Sequence, residues 1–325
     1  PRVTRVLPRG NWLDESGTIV EPAIPEFLGS LASAGQRATR LDLANWLTDA
    51  DHGSGLLTAR VFANRVWYLM FGNGLSRSLD DLGGQGVAPD HPELLDQLAI
   101  DFVTSGWNVK RLIKQMVMSR TYRQSSVARA NTVQVDPENR QFARQATYRL
   151  PAEMVRDNAL AISGLLVDEI GGASARPYQP TGYYRHLNFP KRTYQHDDGT
   201  QQWRRGVYVH WQRQFLHPTL KAFDAPSREE CTAQRPQSNT PLAALALLND
   251  PSFVEAARAL ALRILLHEGD DDRRLAFAYR VTLSRDPDAF ESRTMRQLLS
   301  GAREHFARNP EAAGELLAVG MAQGE

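Results

Sequence analysis

Apolar residues recur at helical spacing along most of this chain. Leu41, Leu43, Ala44 and Leu47 predict a short helix ending near Asp49, and His52-Gly53-Ser54-Gly55 a turn after it. Thr58 reads as the N-cap of a helix to Phe71. Its apolar side chains spread all round the axis, the pattern of a helix buried on most faces. Pro92 opens a further helix with a narrow stripe of Leu94, Leu95, Leu98 and Phe102. After Ser105-Gly106, an inward face is predicted from Val109, Leu112, Ile113, Met116 and Val117, with Lys110, Arg111 and Lys114 outward. Pro151 starts a helix with Met154, Val155, Ala161, Ile162 and Leu165 toward the core. Thr240-Pro241 is a clean helix start. Helices are expected over 242–249, 253–266, 275–283, from Asp288 to about Phe306, and over 311–321.

Two stretches break the helical period. Residues 1–38 are rich in Pro and Gly and read as an ordered arm, with Val3, Val6, Leu7 and Trp12 available for a short extended piece. Residues 170–212 carry Gly171-Gly172, Pro177, Pro180 and Pro190, together with Tyr178, Tyr183, Tyr184, Tyr194, His196 and Trp203. Gly206 to His210 reads as a strand, with a hairpin partner over Tyr183 to Phe189. The expected fold is mainly α: an arm over 1–38, then one multi-helix globular domain over 39–325. That domain carries an aromatic-rich insertion at about 170–212 and a small β element near 183–211.

Composition narrows the function classes. Hydrophobic content of 42% and charged content of 23% are ordinary for a folded chain of 325 residues. The net charge of +1 supplies no global field for nucleic acid. The basic face of Lys110, Arg111 and Lys114 has no aromatic interleaving, so no nucleic-acid partner is expected. Cys231 is the only cysteine, so internal disulfides, thiolate clusters and c-type haem attachment are all excluded. No run of about 18 apolar residues spans a bilayer. No signal peptide opens the chain, and its start at Pro1 reads as an excised fragment. The loop over Gly72 to Gly86 lacks the Gly-Lys-Ser/Thr ending of a phosphate loop. His-Glu-x-x-His and Gly-x-Ser-x-Gly are also absent, and neither metal nor cofactor is expected in this fragment.

The candidate chemistry is concentrated in three polar segments beside apolar helices: Arg60, Asn64 and Arg65; the Tyr122-Arg123-Gln124 turn; and the loop from Asp224 to Arg235. Convergence of the three is expected. Arginines on a buried helix need acid partners, and Asp80-Asp81 is nearest in sequence. Glu153 and Asp157 lie one helical turn apart, within reach of Arg149 and Arg156. Asp157 and Asp224 are the candidate catalytic carboxyls, with Glu229, Glu230, His91, His186 and His210 as alternatives. The expected ligand-binding residues are Arg65, Asp81, His91, Tyr122, Arg123, Tyr184, Arg213 and Arg235.

Four long motifs carry a family resemblance. TARVFANRVWYLMFGNGL, DDLGGQGVAPDHPELLDQLAIDF, SGWNVKRLIKQMVMSRTYRQSS and FDAPSREECTAQRPQSNTPLAALALLNDPSFVEAARAL occur in that order. Together they resemble the C-terminal domain, of unknown function, of large planctomycete and verrucomicrobial proteins. The resemblance covers about Val3 to Phe290. It implies an exported protein, periplasmic or at the cell surface, and an upstream cytochrome-c-like module bearing the haem that this fragment lacks. It supplies no catalytic residue. Two function classes fit. The first binds or processes carbohydrate in a polar, aromatic-lined site, and as an enzyme it would be a glycan hydrolase. The second is a non-catalytic helical module docking to a cytochrome-c-like or cell-surface partner.

Overall fold

The computed structural model describes residues 3–31, 35–186, 191–212 and 215–322. Among these residues the chain is mainly α, with 12 α-helices and a single two-stranded antiparallel sheet. Where the sequence reading drew one helical body over 39–325, the chain divides into two compact units, Pro1–Tyr148 and Arg149–Glu325.

The first unit begins with strands β1 (Thr4–Arg5) and β2 (Ile19–Val20), in register Thr4 to Val20. Its helices are α1 (Arg40–Thr48), α2 (Gly55–Phe71), α3 (Pro92–Thr104), α4 (Val109–Val117) and α5 (Ala130–Val135). α2 starts earlier than the Thr58 cap predicts. Gly53 and Gly55 pass so close to the Trp46 and Asp49 backbone that a Cβ would collide there, and Gly55 N–H donates to the Asp49 carbonyl at 2.8 Å. The close crossing fixes the turn and lets the helix begin directly after Ser54. Gly72, at φ 78°, ends it.

One face of α2 builds the core: Ala59, Ala63, Val66, Trp67 and Phe71, spaced by three and four. It packs on Leu95, Leu98 and Phe102 of α3 and on Leu112 and Met116 of α4. Phe142 closes the cluster edge-on to Trp67 at 5.2 Å. Asn64 is buried beside them and holds Ser76 through both amide atoms, at 2.9 Å each.

Burial on most faces does not hold. Leu57, Val61 and Leu69 are 40–50% exposed, and Arg65 sits exposed on that side. Arg60 pairs with Asp96 of α3 at 2.8 Å rather than with Asp80-Asp81. An exposed arginine contributes little, so Arg65→Ala is expected to change unfolding free energy by less than about 1 kcal/mol in a urea titration. A loss of several kcal/mol would show that α2 uses this side chain as a structural partner.

The second unit contains α6 (Ala152–Ser163), α7 (Pro218–Ala222), α8 (Pro241–Asn249), α9 (Pro251–Leu265), α10 (Asp271–Leu283), α11 (Ala289–Arg308) and α12 (Pro310–Leu317). Thr240 caps α8 through the Ala243 N–H, and Asp288 with Glu291 forms a capping box on α11. The core joins Ala152 to Val209, Leu216, Leu220, Phe223, Ala243 and Phe253. α10 and α11 bury no residue and are laced by Arg296–Asp272 and Arg303–Asp271 pairs, each at 2.6 Å.

The strand expected over Gly206–His210 is a 3-10 turn, Gly206–Tyr208, followed by an isolated bridge between Val209 and Ala175. Gly206 lies against α6, where a Cβ would stand 2.8 Å from the Glu153 Cα. Its N–H donates to Asp157 at 2.5 Å, and this contact turns the backbone out of the extended path. Tyr183–His186 is likewise 3-10, so no hairpin forms with it; Phe189 lies outside the described residues.

Candidate functional site

Among the described residues from Asp168 to His217, buried polar side chains tie the irregular backbone together. Arg204, 2% exposed, donates to the Ala173 carbonyl at 2.6 Å, to Glu169 at 3.1 Å and to Gly171. Its guanidinium stacks over Tyr208 at 4.2 Å. Gln202 Nε2 donates to the Arg176 carbonyl at 3.2 Å and to that of Asp197. Arg156 of α6 donates to the Gln202 carbonyl, and burial lowers its pKa from the usual arginine value. His217 Nε2–H donates to the Tyr178 carbonyl at 2.8 Å, which fixes the tautomer. Burial pushes its pKa down to about 4.

On this frame sits a cleft of about 470 Å3 lined by Tyr183, Tyr184, Arg185, Arg192, Tyr194 and His196. Its rings are locked edge to edge: Tyr184 meets Tyr194 at 5.4 Å and Phe215 at 5.7 Å. Tyr183 and Tyr194 donate to the carbonyls of Leu216 and Pro177, at 3.0 and 2.5 Å. Burial raises the phenols of Tyr183, Tyr184 and Tyr194, so all three stay neutral. Arg192 reaches Gln212 Oε1 at 2.9 Å from an exposed position. A second cleft of about 490 Å3 shares Gln179–Thr181 with it and is also lined by Tyr178, Thr219, Asn249, Asp250, Leu242 and Leu245. Gln179 lines both clefts, and its Nε2 is buried without a hydrogen-bond partner among the described residues.

The two candidate catalytic carboxyls are held by their own chain. Asp224, at φ 59°, accepts from the Ser238 N–H and hydroxyl, both at 2.8 Å, and from Arg149. Burial raises its carboxyl, but the bonds from Ser238 and Arg149 outweigh burial and hold it below the usual aspartate range. Asp157 accepts from Gly206 N–H, with Arg205 at 4.0 Å, and burial raises its pKa against both. Arg235 donates to Glu153 at 2.6 Å, one turn before Asp157. Together, Arg149–Asp224 and Arg235–Glu153 pin both ends of the 224–238 loop.

Arg65, Asp81, His91, Tyr122 and Arg123 belong to the first unit; Asp157, Tyr184, Asp224 and Arg235 belong to the second. Asp81 closes its own loop through the Gly83 N–H at 2.7 Å. His91 precedes α3 with its ring 6.1 Å from Phe142. Tyr122 packs edge-on to Phe71 at 5.7 Å, and Arg123 is exposed. Of the expected binding residues, Tyr184 alone lines the aromatic cleft among the described residues; Arg213 lies outside them. Sequence reasoning missed Gln179, Arg192, Gln202, Arg204, His217 and Glu255. A readable signal existed for Glu255, a carboxylate on the buried stripe of Ser252, Phe253 and Ala256.

The PSD1 family, described as proteins of unknown function (DUF1553), matches residues 39–299. The chain belongs to this family. No curated protein matches the chain, and no solved structure matches it. The matched stretch holds both clefts and the buried frame beneath them. Among the described residues no helix is long and apolar enough to cross a membrane. None of them form a group of three or more His, Cys, Asp or Glu side chains able to hold a metal ion.

Proposed function

We propose that the second unit of this DUF1553 chain binds carbohydrate, with the tyrosine-lined cleft as the site. The observation that carries the reading is that cleft: rigid rings, with Arg185, Arg192 and Gln179 at its edge. Sugars present apolar ring faces ringed by hydroxyls, and locked aromatic walls with forked donors suit both features at low entropic cost. Binding is favoured over hydrolysis because Asp157 and Asp224 are engaged by Gly206, Ser238 and Arg149. A glycan ligand also suits the exported setting that the resemblance implies.

The test is affinity electrophoresis and calorimetry against neutral, uronic and sulfated polysaccharides. One glycan class is expected to bind, and Arg192→Ala is expected to weaken binding about tenfold, the worth of one charged hydrogen bond. Arg123→Ala, in the first unit, should bind as the parent does. Failure of every glycan to bind a cooperatively folded protein would end the reading. The alternative, a module that docks another protein, is favoured by one observation, an open apolar groove of about 440 Å3 along α9.

A further inference from the structure

The tyrosine cleft carries charge of one sign. Arg185 and Arg192 line it, and among the described residues no Asp or Glu does. A sugar hydroxyl both donates and accepts hydrogen bonds, so a site for neutral sugars gains from acceptors as well as donors. Arginine only donates. The phenols of Tyr183 and Tyr194 already give their protons to the carbonyls of Leu216 and Pro177, at 3.0 and 2.5 Å. The charged edge of the cleft therefore suits a ligand rich in acceptor oxygens and negative charge.

Arg192 reaches a neutral partner, Gln212 Oε1 at 2.9 Å, and that contact leaves its charge uncancelled. The carboxylates that follow the lining in sequence have other contacts. Asp197 accepts from the Arg176 N–H at 2.7 Å, and Asp198, its side chain 86% exposed, lies 3.9 Å from His196 Nδ1. Burial raises the Tyr184 phenol and Tyr183 adds to the rise, while Arg176 and Arg192 both oppose it, so positive charge is felt at the buried ring itself. The chain as a whole has a net charge of +1, so this cationic edge is local and no global field draws in polyanions.

We infer that the cleft takes acidic sugars, those bearing a carboxylate or a sulfate ester. The tyrosine rings meet an apolar sugar face, and Arg192 holds the anionic oxygens. A guanidinium fork matches paired oxygens on one charged group, so the contact fixes the orientation of the sugar as well as adding affinity. This inference rests on the carbohydrate reading of the cleft and names the class of sugar within it.

The full chain is titrated by calorimetry with two matched pairs: oligogalacturonate and its methyl ester, and sulfated dextran oligosaccharide and its unsulfated parent. Salt is held at about 0.15 M, where long-range attraction is screened. In at least one pair the acidic member should bind at least tenfold more tightly than the neutral one, and which pair responds tells carboxylate from sulfate. Arg192→Gln keeps a donor and removes the charge. It should weaken the acidic member about tenfold and the neutral member less than twofold, a split that general damage to the fold would not produce. Arg123→Gln, in the first unit, should change neither. Equal affinity for acidic and neutral members would overturn the inference. So would a preference that survives Arg192→Gln, or one that Arg123→Gln reduces as much, since the charge would then act from elsewhere. Binding of neutral polysaccharides alone would reject acidic sugars and leave the carbohydrate reading standing. Failure to bind any glycan would end that reading, and this inference with it.

Discussion

Arg204→Ala is expected to cost the second unit about 3–4 kcal/mol, measured as the loss of unfolding free energy in urea. The buried guanidinium donates to three carbonyls, of Glu169, Gly171 and Ala173, and covers the Tyr208 ring. Each charge-assisted bond contributes about 1.5 kcal/mol or more, and the emptied volume adds a cavity term. Rehydration of the exposed 169–173 loop returns part of the loss. Arg204→Lys keeps the charge but presents one ammonium where a planar fork spans three acceptors, so it should recover less than half. Arg205→Ala is the control. Arg205 is 39% exposed and pairs with Asp168 at 2.8 Å, a surface contact worth less than about 1 kcal/mol. Equal effects from the two arginines would refute the structural role assigned to Arg204.

That contrast shows what the sequence made legible. Arg204 and Arg205 are chemically identical neighbours, and periodicity separates side chains only inside helices and strands. Among the described residues between Asp168 and His217 the chain is held largely by side-chain-to-carbonyl bonds, which leave no period to read. Several helix starts are legible in the sequence, although the short helices α5 and α7 are not. The Thr240-Pro241 and Asp288 starts follow from capping chemistry that is local in sequence. The core stripe of α2 was present in the pattern too, but Leu57, Val61 and Leu69 are as apolar as the buried Val66 and Phe71. Hydrophobicity alone therefore suggested a helix buried all round. The site was harder still. Tyrosine clustering marks the insertion that carries the aromatic cleft, yet the two candidate catalytic carboxylates are ones with strong backbone partners. Asp157 and Asp224 were noticed for their neighbours in sequence, and their hydrogen bonds come from residues 49 and 14 positions away.

Acidification from pH 7 to 4.5 is expected to remove about 2.5 kcal/mol from the second unit through His217 alone. The imidazole is buried, 4% exposed, and donates through Nε2–H to the Tyr178 carbonyl. Its pKa is pushed down to about 4, first by burial; Asp250 opposes the shift and Arg156 adds to it. In the unfolded chain the same group titrates near its ordinary value of 6.5. Between those values the unfolded state holds the extra proton, so stability is complete above about pH 6.5 and falls as pH drops toward 4. Each decade of proton concentration in that window is worth about 1.4 kcal/mol. The range down to pH 4.5 separates the effect from most carboxylates, whose unfolded values lie near 4. His217→Gln can keep a donor toward Tyr178 and removes the titration. It should lose some stability at pH 7 and show a much flatter urea midpoint between pH 7 and 4.5. An acid-induced loss as large in His217→Gln as in the parent would place the sensitivity elsewhere. A loss confined to the parent would assign the acid sensitivity to the proton that His217 takes up on unfolding.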